Sequence, residues 1–259
     1  MRSPFSRNRK GVEKPDPVAR PRPERQTYIV GDVHGRIDLL ERLLDRIDTH
    51  IGQVEANSPD LVFVGNYIDH GQNSAETLQR LLSLTQEFPE NVICLLGNHE
   101  RMLLDFLADP ALRGARWLRD GANATLRSFG VDVPAEFGPE TYENLATAMR
   151  SAMSSNVIDW IDARPMTWHS RNLWAVHAAA DPQHPMTAQS SRVLLWGHPE
   201  FDVIARNDGI WIAHGHKCVV APVAANGRIS LNTRAWETHR LSAAAISPEG
   251  DIDLFSTDG

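Results

Sequence analysis

The sequence predicts an α/β fold whose core holds two sheets flanked by helices. In its first part, short apolar runs alternate with amphipathic stretches in a β-α-β-α-β order, which is typical of parallel strands covered by helices. The region 101–162 carries few strand signals and is predicted to be mostly helix and loop. Strand signals then return at 173–176, 209–213, 228–231 and 243–246, which predicts a second set of strands.

Each predicted strand of the first part ends in glycine and polar residues. The first strand, 28–30, leads into Gly-Asp-Val-His-Gly and then into a helix with apolar residues spaced for one face. The second strand, 61–64, ends at Gly-Asn, and the third, 92–96, ends at Gly-Asn-His-Glu. A second amphipathic helix, with leucines between 78 and 84, lies between these two strands.

The composition is that of a soluble globular protein, with 42% hydrophobic and 23% charged residues. No stretch approaches the ~18 uninterrupted apolar residues that a membrane helix needs, so we expect no membrane association. Two cysteines, Cys94 and Cys218, lie in apolar segments and suit a reducing compartment, which predicts a cytoplasmic location.

Charge is distributed unevenly along the chain. Residues 1–26 hold five prolines, eight Lys/Arg and three Asp/Glu, which gives this segment a net charge of +5. Because the whole chain has a net charge of −7, the remaining residues carry −12. A basic, proline-rich segment buries too little surface to order itself, so we expect a disordered arm at 1–26 and one folded domain at 27–259. The acidic body makes nucleic-acid binding an improbable function, because that needs clustered Lys and Arg.

Polar side chains recur at the C-terminal ends of successive predicted strands. In α/β sheets, ligands gather outside the carboxyl ends of the strands, so we expect these side chains to meet in one site. In chain order they are Asp32, His34, Asn66, Asp69, Asn98, His99, His177 and His216.

These residue types suit a site for two metal ions. Asp32 and His34 are two residues apart and point the same way along an extended chain, and a carboxylate with an imidazole holds Mn²⁺, Fe²⁺ or Zn²⁺. Asn98, His177 and His216 offer ligands for a second ion. Two cations ~3.5–4 Å apart clamp a phosphoryl group and activate water. His99 is then free to protonate the leaving oxygen, with Asp69 to orient it.

Three ordered motifs resemble those of the phosphoprotein phosphatases, a group of the calcineurin-like metallophosphoesterases that includes serine/threonine phosphatases and diadenosine tetraphosphate hydrolases. They are Gly31-Asp-Val-His-Gly35, Gly65-Asn-Tyr-Ile-Asp-His-Gly71 and Gly97-Asn-His-Glu100. The similarity extends from about Tyr28 to Ile246 and is greatest to the small bacterial members. It implies a two-sheet β-sandwich flanked by helices.

The resemblance also implies roles for individual residues and two divalent metal ions, with Mn²⁺ expected and Fe or Zn as alternatives. His99 would be the general acid, paired with Asp69. The implied metal ligands are Asp32, His34, Asn66, Asn98, His177 and His216.

Three of the departures from the family pattern bear directly on the metals and the substrate phosphate; smaller ones are Ala179, Lys217 and Asn232-Thr-Arg234. Asn66 stands where an aspartate would bridge the two metals, and a neutral amide should weaken the metal pair. His70 and, in the aligned later segment, His198 stand where arginines would bind the substrate phosphate. Histidine is shorter than arginine and only partly charged near neutral pH, so we expect these two residues to contact the substrate more weakly.

The predicted reaction is metal-dependent hydrolysis of a phosphoric ester, with a phosphorylated protein or a small phosphomonoester as substrate. Two alternatives stay open at this point: a dinucleoside polyphosphate hydrolase, and a catalytically silent phosphatase-like module that binds a phosphorylated partner. A metal-dependent nuclease is disfavoured by the acidic body.

Overall fold

The computed structural model describes residues 19–257. Most of the predicted arm, residues 1–18, and the final two residues lie outside the described part. The described part contains ten strands: β1 (Thr27–Val30), β2 (Asp60–Phe63), β3 (Val92–Cys94), β4 (Thr167–Ser170), β5 (Leu173–Val176), β6 (Trp211–His214), β7 (Val223–Ala225), β8 (Arg228–Ser230), β9 (Ser242–Ile246) and β10 (Ile252–Ser256).

The α-helices of the described residues lie mainly between β1 and β4. A π-helical turn at Leu118–Ala122 with a kink at Gly121 joins two of them. The helices are α1 (Ile37–Gln53), α2 (Ser74–Glu87), α3 (Asn98–Ala108), α4 (Pro110–Trp117), α5 (Asn123–Ser128), α6 (Pro139–Ala152), α7 (Ser155–Asp162), α8 (Ser191–Trp196) and α9 (Ala235–Thr238).

The strands form two mixed five-stranded sheets, in the orders β10-β9-β1-β2-β3 and β4-β5-β6-β8-β7. In each sheet the three strands that lead towards the site run parallel: β1, β2 and β3 in the first, and β5, β6 and β8 in the second. The carboxyl ends of these parallel strands therefore lie at the same edge of each sheet.

The alternation of side chains along β1 shows how the layers pack. Ile29 contributes to an apolar cluster shared by the two sheets, together with Val62 of β2 and Ala213 of β6. Tyr28 and Val30 face the other way, into the larger cluster formed with the helices. The predicted fold class, a two-sheet α/β sandwich flanked by helices, is confirmed.

The predicted elements are confirmed within a few residues, and the region 101–162 is helical as expected. Three strands were missed, β4, β7 and β10, and all three are antiparallel strands at the edges of their sheets. Their side chains are largely half-buried or exposed, so they lack the continuous apolar signal of the central strands.

The end of the predicted arm, residues 19–26, is packed against the folded body, which differs from the expectation of disorder. Pro21 and Pro23 are buried, and the backbone N–H of Arg22 donates to Asn172 Oδ1 at 2.8 Å. The backbone N–H of Glu24 donates to Ser170 Oγ at 2.8 Å. This segment lies beside the edge strand β4 and the turn after it, where Ser170 and Asn172 accept hydrogen bonds from its backbone. Within the described residues, no helix is long and apolar enough to cross a membrane.

Candidate active site

The predicted site residues meet where the parallel strands of both sheets end. Asp32 and His34 follow β1, His177 follows β5, and His216 follows β6. Asn66 and Asp69 lie in the loop after β2, and Asn98 and His99 open helix α3. These side chains, eight in all, are linked by the hydrogen bonds and ring contacts described below.

The Asp32 carboxylate lies at the centre of the site and is almost fully buried. Its Oδ2 accepts hydrogen bonds from Asn66 Nδ2 at 3.0 Å and from Asn232 Nδ2 at 3.1 Å. Its Oδ1 accepts from the backbone N–H of His216 at 3.1 Å. Burial raises the pKa of Asp32 to about 7, partly offset by these hydrogen bonds. A buried carboxylate held by neutral donors is well suited to a cationic ligand.

His34 has one ring nitrogen held and the other directed at Asp32. Its Nδ1 donates to the backbone carbonyl of Ile68 at 2.7 Å, which leaves Nε2 at 3.8 Å from Asp32 Oδ2. Burial lowers the pKa of His34 well below its usual value, so the imidazole is neutral. A neutral imidazole whose remote nitrogen donates to a carbonyl is the usual form of a metal-ligating histidine.

His177 shows the same arrangement on the other side of the site. Its Nδ1 donates to the carbonyl of Val64 at 2.9 Å, and burial lowers the pKa of this ring well below its usual value. A neutral His177 therefore directs the lone pair of Nε2 towards Asn98 Oδ1, 2.7 Å away. Imidazole nitrogens and amide oxygens are both ligand atoms for divalent cations. The His216 ring lies 5.3 Å from the His177 ring.

The donor set therefore fits divalent metal ions. It combines one buried carboxylate, an amide oxygen and imidazoles with their remote nitrogens held by backbone carbonyls, which is the chemistry of Mn²⁺, Fe²⁺ and Zn²⁺ sites. Asp32, His34 and His216 would hold one ion, and Asn98 with His177 would hold the second.

Asn66 occupies the bridging position with its amide oriented by the start of α3. The backbone N–H of His99 donates to Asn66 Oδ1 at 3.2 Å, so the oxygen caps the helix. The NH₂ group consequently faces Asp32. In this orientation Asn66 stabilises Asp32 by a hydrogen bond and turns no oxygen towards it, so its role as a metal ligand stays a prediction.

His99 and Asp69 form a buried pair beside the metal ligands. His99 Nδ1 lies 2.7 Å from Asp69 Oδ2. Burial alone would lower the pKa of His99, but the hydrogen bond and charge of Asp69 outweigh it, so the pKa is raised. Asp69 is itself held by Trp117 Nε1 at 3.0 Å and by Thr125 Oγ1 at 2.6 Å. The raised pKa favours the protonated form of His99, and the Nδ1 contact with Asp69 leaves Nε2 as the nitrogen that can donate.

Glu100, the last residue of the third motif, organises the loop after β2. Its carboxylate is fully buried and accepts hydrogen bonds from the backbone N–H groups of Asn66, Tyr67 and Gly97 at 2.8, 2.7 and 3.0 Å. The Glu100 side chain thus holds the loop after β2, which carries Asn66 and Asp69, against the start of α3.

Backbone strain is concentrated in the site. Five of the site residues have positive φ angles between 47° and 70°, a region that L-residues other than glycine adopt at a cost. Such strain persists only where the surrounding contacts fix it. Here the unusual backbone conformation turns these side chains into the site. The residues are His34, Asn66, Asp69, His70 and His216.

The two histidines at the arginine positions lie in different surroundings. His70 is exposed at the mouth of the site, where its ring lies 5.0 Å from that of His34 and stacks on Trp236 at 4.7 Å. His198 lines a neighbouring groove with His216, but its Nε2 lies 3.6 Å from an oxygen of Asp181. Phosphate binding by either residue stays a prediction.

Sequence reasoning missed several residues that support the site. Trp117 has the sequence character of a core residue, and nothing in the motifs indicates that its indole N–H donates to Asp69. Asn232 and Thr125 contact Asp32 and Asp69 from 200 and 56 positions away in the chain, a separation that no local pattern reveals.

Comparisons with known proteins agree with this geometry. Residues 26–220 match the calcineurin-like phosphoesterase family. The chain is 24% identical to the bis(5'-nucleosyl)-tetraphosphatase PrpE (asymmetrical) of Oceanobacillus iheyensis, over 88% of this chain and 91% of that protein. It is 40% identical to the serine/threonine-protein phosphatase BSL2 of Arabidopsis thaliana over 72 residues, which are 28% of this chain and 7% of that protein.

The fold also matches solved structures. A protein solved as a candidate diadenosine tetraphosphatase superposes with a TM-score of 0.62 at 20% identity, covering 92% of this chain and 96% of that one. A cold-active protein tyrosine phosphatase superposes with a TM-score of 0.58 at 13% identity, covering 92% and 80%. The chain belongs to the calcineurin-like phosphoesterase family and is a metal-dependent phosphoric ester hydrolase.

Proposed function

We propose that this protein hydrolyses phosphomonoesters, on a phosphorylated protein or a small molecule, with His99 as the general acid. The observation that carries the proposal is the His99–Asp69 pair, 2.7 Å apart and directly beside the buried Asp32 and His34. A proton donor next to a metal-binding cluster is what cleavage of a phosphate ester needs.

The side chains divide the work as follows. The two metal ions, when bound, supply an activated water and neutralise the phosphate. Asp69 holds the His99 ring through Nδ1, so that the proton on Nε2 is directed to the leaving oxygen. Trp117 and Thr125 fix Asp69 in turn. His70, exposed at the mouth of the site, is placed to contact the substrate phosphate.

The metal and the location are parts of the same proposal. We propose Mn²⁺ as the working metal, supported by a donor set that mixes carboxylate and amide oxygens with imidazoles. A cytoplasmic location is supported by two free cysteines, Cys94 buried and Cys218 exposed, since an exposed free thiol persists best in a reducing compartment. Cys218 is exposed although its neighbours in the sequence are apolar.

Turnover of p-nitrophenyl phosphate by the metal-depleted full chain, with and without added Mn²⁺, tests the proposal. We expect Mn²⁺-dependent turnover that falls about 10²–10⁴-fold in His99→Ala. His169→Ala is the matched control, because this histidine stacks on Trp174 at 4.4 Å in the second sheet and contacts no site residue. Absence of Mn²⁺-dependent turnover in the native chain would refute the proposal.

A dinucleoside polyphosphate is the second candidate substrate. Two observations favour it: the relative PrpE matches over 88% of this chain, and Trp236 presents an aromatic ring at the mouth of the site. An indole there offers a surface on which a nucleobase can stack. Diadenosine tetraphosphate should then be hydrolysed with a lower KM than p-nitrophenyl phosphate, and Trp236→Ala should raise the KM for the dinucleotide more than the KM for p-nitrophenyl phosphate.

A further inference from the structure

A cluster of three histidines lies at the mouth of the site. One ligand nitrogen from each of His34, His70 and His99 lies within 4.8 Å of the other two. The ring centroids are 5.0, 4.8 and 5.4 Å apart. The cluster exists in this chain because position 70 is a histidine. The family pattern has arginine at that position, and arginine is not a metal ligand.

The rings are already oriented as metal ligands. His34 Nδ1 donates to the carbonyl of Ile68 at 2.7 Å, and His99 Nδ1 is paired with Asp69 at 2.7 Å, so both present Nε2 to the cluster. Carbonyl or carboxylate partners on the remote nitrogen fix the tautomer and the direction of the ring in metal sites. Two of the three ligands are thus preset.

The third ring is held by its surroundings despite its exposure. His70 stacks on Trp236 with an angle of 16° between the planes. Its other neighbour is Gly121, where a Cβ would lie 2.6 Å from His70 Nδ1. Any residue other than glycine at position 121 would displace the ring. The kink at Gly121 in the π-helical turn therefore makes room for His70.

The distances suit a small tetrahedral ion. Zinc binds histidine nitrogens at about 2.0–2.1 Å, which places them about 3.4 Å from one another, so each ring would move by less than about 1 Å. Three imidazoles favour Zn²⁺, Cu²⁺ or Ni²⁺ over Mn²⁺ and Mg²⁺, which prefer oxygen ligands. This preference separates the cluster from the mixed oxygen and nitrogen site around Asp32.

We propose that His34, His70 and His99 form a zinc-binding site that, when filled, inhibits the hydrolase. Zinc bound there would replace the proton on Nε2 of His99, which is released to solvent, so that this nitrogen has no proton to give to the leaving oxygen. It also takes Nε2 of His34 away from the ion beside Asp32. The inhibitory part of this proposal rests on the proposed function of His99.

Zinc binding is measured first, without substrate, by competition between the metal-depleted full chain and a chromophoric chelator. His70→Asn should weaken one class of Zn²⁺ sites at least about tenfold, since loss of outer partners alone weakens metal sites ~10–100-fold. His177→Asn should keep this class, because it alters only the other side of the site. His184→Asn, which removes an exposed histidine elsewhere, is the matched control.

Co²⁺ added to the same proteins reports the geometry. A tetrahedral site gives intense visible absorption bands, which we expect in the native chain and in His177→Asn and not in His70→Asn. Equal zinc affinity and equal stoichiometry in the native chain and His70→Asn would overturn the site. Thermal unfolding of each variant confirms that the chain is folded.

The inhibitory part is measured as the Zn²⁺ concentration that halves Mn²⁺-dependent turnover of p-nitrophenyl phosphate. This concentration should be at least about tenfold higher for His70→Asn than for the native chain, in line with the loss of zinc affinity. Full turnover of the native chain with the histidine cluster occupied would overturn inhibition. If no form turns over, the proposed function fails, while the binding experiment still decides the zinc site.

Discussion

The substitution Asn66→Asp tests the orientation of the amide at the bridging position. In the native chain, Asn66 Nδ2 donates to Asp32 Oδ2 at 3.0 Å, and a hydrogen bond to a charged group contributes about 1.5–3 kcal/mol. An aspartate at position 66 keeps the oxygen that caps α3 but replaces this donor by a second carboxylate. The metal-free protein therefore loses the hydrogen bond and gains a repulsion between like charges.

In chelator, we expect Asn66→Asp to unfold at a lower temperature than the native chain. Added metal should raise the Tm of the variant by more than that of the native chain. Losing the hydrogen bond alone should lower the Tm by about 3–12 °C, since each kcal/mol shifts the Tm of a chain of this size by ~2–4 °C. In excess Mn²⁺, the variant should be the more stable of the two proteins, because a carboxylate at position 66 can bind both ions. Each tenfold gain in affinity adds about 1.4 kcal/mol of stability.

Thermal unfolding in chelator and in Mn²⁺ measures both effects. Asn66→Ala is the control without a carboxylate: it loses the donor to Asp32 and also the oxygen that caps α3, so it should be destabilised in chelator at least as much, with no added benefit from Mn²⁺. An Asn66→Asp variant as stable as the native chain in chelator would mean that the amide does not support Asp32. Equal Mn²⁺ shifts in all three proteins would mean that residue 66 does not reach a metal.

Two further predictions concern the general acid and the packing around Asp32. Asp69→Asn removes the charge that raises the pKa of His99, so the loss of turnover on the alkaline side should move to lower pH, with a rate about 10²–10⁴-fold lower. An unchanged pH–rate profile would contradict the pairing. In Gly215→Ala the new Cβ would lie 1.8 Å from Asp32 Oδ1, so metal binding measured by calorimetry should be lost. Gly52→Ala, where a Cβ meets nothing within 4 Å, should bind metal normally.

Central strands could be predicted because they are buried on both sides. In β1, all four residues are buried, and the apolar run is followed directly by glycine and the Asp32 motif. The edge strands could not be found in this way. In β7, the residues Val-Ala-Ala are exposed at both ends, and the strand is defined by hydrogen bonds to β8 that a sequence pattern does not encode.

The positions of the site residues could be predicted, but their hydrogen bonds could not. Strand ends and motif spacing placed Asp32, Asn98 and His177 together. The direction of the Asn66 amide depends on the N–H of His99, which is 33 positions away in the chain and approaches only when α3 packs against the loop after β2. Such contacts follow from tertiary packing, as does the hydrogen bond from Trp117 to Asp69, which lies 48 positions away in the chain.

Asn66 and His70, the two departures within the second motif, change the charge of the site in opposite directions. Asn66 removes a negative charge at the bridging position, and His70 replaces a permanent positive charge at the phosphate position. With a neutral His70, the net charge of these two positions is the same as in the family pattern, although carboxylate and guanidinium are replaced by amide and imidazole. The exchange at His70 adds an imidazole, a ligand that favours zinc over manganese. The amide at position 66 is predicted to weaken the metal pair beside it. The predicted weakening of the metal pair and the proposed histidine cluster therefore both originate in the second motif.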